Sequence, residues 1–113
     1  MNIKSIHAFI SNSYWAKDIP FETLNRGIKN SLCFGAFTDA GAQVGFARVI
    51  TDSATFAYLC DVYVLEEHRG KGLSKWLMET LIAHPELQGL RRTALATVDA
   101  HKLYERYGFQ AIA

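Results

Sequence analysis

Cysteine and proline are scarce: two of each in 113 residues. Cys33 and Cys60 both lie in apolar, strand-like runs, where they read as small buried hydrophobes rather than as a disulfide framework or a metal site. No His/Cys cluster has ligand spacing, so no metal is expected. Charge of one sign is also missing. The net charge of +1 argues against a general nucleic-acid binder, whose affinity for phosphate would need an excess of Lys and Arg, although a local basic patch is still allowed. No apolar stretch approaches the roughly 20 residues of a membrane span. The opening MNIKSIHAFI is too short and too polar to read as a secretory signal, which makes the cytoplasm the expected compartment. Repeats, low-complexity tracts and long Gly/Pro/Ser linkers are absent, so residues 1–113 read as one domain.

Half of the residues are hydrophobic, enough for one core. Up to Asn30 the pattern is helical. Ile6, Phe9 and Ile10 share one face, and Phe21, Leu24 and Ile28 share another, with SNSYWAKDIP between them and Pro20 in the first turn of the second helix. From Leu32 the period becomes strand-like: LCFGAFT, the turn DAGA and QVGFARVIT form a hairpin. After DSA, the run TFAYLCDVYVLEE is rich in aromatic and β-branched residues, as a central strand should be. Beyond Gly72, the residues Leu73, Trp76, Leu77 and Leu81 make one helical stripe that ends before Pro85. RRTALATV then reads as a strand, DAHKLYERYG as a short helix and FQAIA as a last strand fragment. The order α-α-β-β-β-α-β-α-β predicts an α/β protein of the α+β type, a mixed sheet with packed helices.

One junction in this order carries chemistry. Arg69-Gly70-Lys71-Gly72 lies between the long strand and the amphipathic helix. A helix N-terminus has unpartnered N–H groups and partial positive charge, and glycines ahead of it let a ligand approach the backbone. Strand, glycine-rich turn and helix together make a phosphate cradle, to which Arg69 and Lys71 add charge. A surface turn with two solvated cations is the plain alternative. The Walker pattern GxxxxGK[ST] and the dinucleotide pattern GxGxxG both fail on spacing. Farther on, DAHKLYERYGF carries Tyr104, whose hydroxyl could deliver a proton to a leaving thiolate. Leu103, Tyr104 and Tyr107 could equally be packing residues.

Taken together, EEHRGKGLSKWLME and AHKLYERYGF resemble the GCN5-related N-acetyltransferase (GNAT) family. The first is similar to its acetyl-coenzyme A loop, [QR]xxGx[GA], and the second to its later Leu-Tyr…Gly-Phe motif. The likeness runs from about Ile6 to Phe109 and implies a GNAT-like acyl-CoA N-acyltransferase fold using acetyl-CoA as co-substrate. It puts Arg69 at the [QR] position and Gly72 at the central glycine, with the amides from Arg69 through Gly70, Lys71, Gly72 and Leu73 to Ser74 holding the pyrophosphate. By the same resemblance Val62, Tyr63 and Val64 bind the pantetheine arm through their backbone. A gap beside the RRTALATV strand admits the thioester, a strand N–H stabilises the oxyanion, and Tyr104 protonates the departing thiolate. Four departures stand out. Ser74 replaces Gly or Ala, and Asp99, a pantetheine or adenosine contact, stands where many members carry Asn. The first strand of the family has no counterpart, and the tail stops at Ala113. Open sheet edges of that kind bring a homodimer into consideration.

Acetylating an amine requires its proton to leave. Asp61 is the candidate base, with a sheet-surface or capping carboxylate as its alternative; Glu66, Glu67, His68 and His101 read as solvated residues. The family's loop between the first two helices borders the acceptor pocket. Here it carries Tyr14 and Trp15, which would clamp an apolar or amine-bearing substrate or else cover the core. The leading function is therefore direct acetyl transfer from acetyl-CoA to a primary amine of a small molecule or peptide. A coenzyme-binding or regulatory module of the same fold is the second reading. A nucleic-acid patch of Arg69, Lys71, Lys75, Arg91 and Arg92 is the third, and the charge balance disfavours it.

Overall fold

Two helices precede the sheet. In the computed structural model, which describes residues 1–95 together with 110 and 111, α1 covers Ile3–Ile10 and α2 covers Phe21–Lys29. The Asn2 side chain caps α1 by accepting from the Ser5 N–H at 3.1 Å, which satisfies one of the donors a helix start leaves open. Pro20 stands one position earlier than expected, as the N-cap of α2. Ile6 and Ile10 of α1 and Leu24 and Ile28 of α2 are buried. Phe21, expected on the same face, is instead 40% exposed, with its ring edge to face with that of His7.

The sheet runs β1 (Leu32–Phe37), β2 (Gln43–Thr51), β3 (Phe56–Val64), β4 (Arg92–Leu95) and β5 (Gln110–Ala111), in spatial order β1-β2-β3-β4-β5. β1 to β3 are antiparallel neighbours; β4 and β5 continue in parallel. Asp52 closes the β2–β3 turn. Its carboxylate accepts from the Thr55 hydroxyl and from the N–H groups of Thr55, Ala54 and Phe56, which hold its pKa well below the ordinary carboxylate range. The mixed sheet and the flanking helices agree with the expected α/β architecture. The expected helix at 99–108 lies outside the described residues. The outer edge of β1 has no partner strand among the described residues.

Helices cover both faces of the sheet. On one face α3 (Leu73–Ile82) packs Met78 and Leu81 against Ala47, Val49, Ala57 and Leu59. On the other, α1 and α2 pack Ile6, Ile10, Leu24 and Ile28 against Phe46 and Tyr63. The stripe expected on α3 needs correction: Leu77, Met78 and Leu81 are buried, whereas Trp76 is 55% exposed. At about 100° per residue, Leu77, Leu81 and Met78 fall on one side of the helix and Trp76 on the opposite flank. Phe46, fully buried between β1 and β3, is the largest fully buried side chain of this core.

Candidate active site

The site forms along the second half of β3, where the strand stops being regular. β2 advances from Phe46 to Arg48 while β3 advances from Cys60 to Tyr63, so Asp61 and Val62 both oppose Ala47. This is a β-bulge, and Asp61 takes a left-handed φ of 55° to make it. Non-glycine residues adopt such a φ only where the surroundings enforce it. β3 and β4 pair from Phe56–Arg92 to Leu59–Leu95, and beyond Leu59 the β4-facing edge of β3 has no ladder partner among the described residues.

Past Val64 the chain makes one 3-10 turn, Glu66–His68, then the Arg-Gly-Lys-Gly tetrapeptide, then α3. Arg69 uses its side chain to donate from Nε to the Val64 carbonyl at 2.9 Å, and its own N–H goes to the Glu66 carbonyl. The Arg69 amide, expected to face a diphosphate, is therefore already bonded within the chain. From Gly70 to Ser74 no backbone N–H has an acceptor among the described residues. Gly70 and Gly72 have φ values of 78° and 80°, and a Cβ on either would meet nothing within 4 Å. Left-handed glycines and unpartnered amides at a helix start match what a diphosphate requires. Lys71, Ser74 and Lys75 are exposed beside them. Leu73 is half-buried against the Ala36, Val44, Val64 and Leu77 cluster and anchors the loop.

The opposite wall comes from the α1–α2 loop. Tyr14 is 64% exposed and Trp15 41%, and their rings meet edge to face, 5.1 Å apart at 85°. Trp15 Nε1 donates to Asp61 Oδ1 at 2.9 Å, and Arg48 Nε donates to Asp61 Oδ2 at 2.7 Å. Arg48 Nη1 continues to Ser31 Oγ, which donates to the Gly27 carbonyl near the end of α2. Asp61 is buried, as an ion pair with two donors can be. Tyr63 stacks its ring on Phe9 at 4.0 Å, and burial pushes its phenol up to about 12. Burial likewise pushes the Cys60 thiol up to about 12, although Arg48 opposes the shift.

The structure places Trp15 against Asp61, with Tyr14 beside it, and puts the Gly70–Ser74 amides after the end of the same strand, β3. Tyr104 and Asp99 lie outside the described residues. Arg91 and Arg92 sit apart from Arg69, Lys71 and Lys75. Arg92 pairs with Phe56, the first residue of β3, and the loop follows its last, about 26 Å away at 3.3 Å per residue, so these cations form no single patch. Among the described residues no three His, Cys, Asp or Glu side chains are grouped to hold a metal ion, and no helix is long and apolar enough to cross a membrane. Sequence reasoning missed the bulge and the Arg48–Asp61–Trp15 connection. One signal was available: Arg48 and Asp61 are lone opposite charges within two apolar strands.

The Acetyltransferase (GNAT) domain family model matches residues 29–111. The chain belongs to the GNAT acetyltransferases. A Gibberella zeae protein classed with the acetyltransferases is 34% identical over 92% of this chain and 70% of its own length. The crystal structure of a GNAT-family protein from Xanthomonas campestris pv. campestris is 61% identical, covering 97% of this chain and 78% of that one, with a TM-score of 0.94. An Escherichia coli GNAT N-acetyltransferase solved in complex with CoA is 19% identical over 96% of this chain and 63% of that one, with a TM-score of 0.73; at that identity the likeness is one of fold.

Proposed function

We propose that this chain transfers an acetyl group from acetyl-CoA directly to a primary amine of a small molecule or peptide. The observation that carries the reading is the run of unpartnered N–H groups from Gly70 to Ser74, opened by two left-handed glycines at the start of α3. These amides and Lys71 hold the diphosphate of the coenzyme. The open edge at Val62–Val64 receives the pantetheine arm, and an N–H of that edge faces the thioester carbonyl, where it stabilises the negative charge that develops when the amine attacks. Tyr104 returns a proton to the departing thiolate, and Asp99 contacts the coenzyme. Tyr14 and Trp15 border the acceptor. The two free thiols fit a cytoplasmic location, and the open edge of β1 is where a second copy would pair in a homodimer.

Acetyl-CoA binding to the folded chain alone raises the thermal midpoint with concentration, by about 2.7 kcal/mol at a hundredfold excess over Kd. No shift at millimolar acetyl-CoA removes the proposal. A shift without thiol release across a panel of amines leaves a coenzyme-binding module instead. Tyr104→Phe lowers turnover and keeps the shift.

A further inference from the structure

Asp61 was the candidate base, but its surroundings suit a different task. Both carboxylate oxygens already hold a strong donor, the Arg48 guanidinium on one and the Trp15 indole on the other. The connection spans long sequence distances and joins four elements: α2 through Gly27 and Ser31, β2 through Arg48, β3 through Asp61, and the α1–α2 loop through Trp15. The loop is itself set by hydrogen bonds, from the Asp18 N–H to Ser11 O, from Ser13 Oγ to Ile10 O and from the Ala16 N–H to Ser13 Oγ. Of the three non-glycine residues with left-handed φ among the described residues, Asp18 lies in this loop and Asp61 at the bulge it reaches. Asp61 is thus held in a strained backbone at its end of the contact, and the loop that carries Trp15 holds a second left-handed residue, Asp18.

We propose that Asp61 is a positioning residue that fixes Trp15 as the acceptor-side wall, and that the wall takes a primary amine carried on a flat apolar body. This inference rests on the acetyl-transfer reading above. Because the indole N–H is occupied by Asp61, Trp15 has only ring surface to offer a substrate, and Tyr14 meets it edge to face. Asp61 is the one buried carboxylate among the described residues, and Arg48 neutralises it. A second ammonium on the acceptor therefore finds no unpaired buried partner here, whereas an aromatic or alicyclic body gains by covering two exposed rings.

The test compares 2-phenylethylamine with putrescine as acceptors at saturating acetyl-CoA, in the wild type, Trp15→Phe, Asp61→Asn and the double variant. The wild type is expected to prefer 2-phenylethylamine. Trp15→Phe keeps a ring but loses the donor, and should raise the KM for 2-phenylethylamine by about tenfold, the worth of one hydrogen bond to a charged group, with kcat and the acetyl-CoA KM within about twofold of wild type. Asp61→Asn should do the same, because its one acceptor oxygen goes to the Arg48 guanidinium and its NH2 then faces the indole N–H, and the double variant should be no worse than either single one, since both lose the same contact. A fall in kcat confined to Asp61→Asn, with the amine KM unchanged, would make Asp61 the base and overturn the inference. An unchanged amine KM in Trp15→Phe also overturns it, and decides the matter if Asp61→Asn does not fold. Preference for putrescine, or no turnover of 2-phenylethylamine while the acetyl-CoA melting shift persists, defeats this inference and leaves coenzyme binding intact; absence of that shift defeats the underlying reading instead.

Discussion

On the loop side of Val64 the chain leaves its backbone amides open from Gly70 to Ser74, whereas on the bulge side, at Asp61, both side-chain oxygens are occupied. The first region is built from main chain and from the absence of side chains at two glycines. The second is built from side chains brought together across four elements. An open backbone can receive a ligand through conformation rather than through residue identity. A closed network of side chains can differ from one relative to the next without disturbing that cradle. One strand thus separates an open stretch of main chain from a closed network of side chains.

Breaking the closed side should have the largest effect on the fold. Asp61→Ala strands the Arg48 guanidinium, whose side chain is only 16% exposed, and should cost about 3 kcal/mol, the lower end for a broken buried pair. Urea denaturation measures that loss, and the acetyl-CoA melting shift should survive in the folded fraction. A vanished shift would show that the two regions are not separable. Breaking the open side reverses the pattern. Gly72→Val forces a branched side chain to φ 80° and into the cradle, at roughly 1–2 kcal/mol of strain. Coenzyme affinity should fall at least about tenfold by titration calorimetry, while the Trp15 environment stays as it was.

The smallest effect comes with alkali. The Cys60 thiol and the Tyr63 phenol, both pushed up to about 12 by burial, stay protonated in the folded chain, whereas the unfolded chain releases those protons from about pH 9 and pH 10. The unfolded state then binds fewer protons, so stability falls as pH rises from about 9 towards 12. Urea midpoints at pH 8 and pH 10.5 measure the slope, and Cys60→Ala should flatten it. An equal slope in that variant would mean that Cys60 does not contribute.

The same division explains what could be read from the sequence. Gly70 and Gly72 announced the cradle because a left-handed backbone at a strand–helix junction is a local property that glycine spacing reports. The strands and α3 were legible from periodicity for the same reason. Trp76 was assigned to the wrong face because an aromatic residue near an apolar stripe cannot be told from a member of it without the sheet in place. Arg69 was expected to serve the coenzyme with its own amide, but that amide closes the 3-10 turn on Glu66. Asp61 and Trp15 are 46 residues apart, and no local pattern encodes a bulge that turns one towards the other.

Tyr63 has one further consequence. Its peptide belongs to the strand that would hold the pantetheine arm, while its ring is stacked on Phe9 of α1. A change in how the helical layer seats on the sheet is therefore transmitted, through a single aromatic lever, to the backbone of β3 at Tyr63. Exchanging α1 and α2 for those of a relative, in the hope of grafting a new acceptor preference, would shift that stretch of strand too unless the ring of Phe9 travels with them.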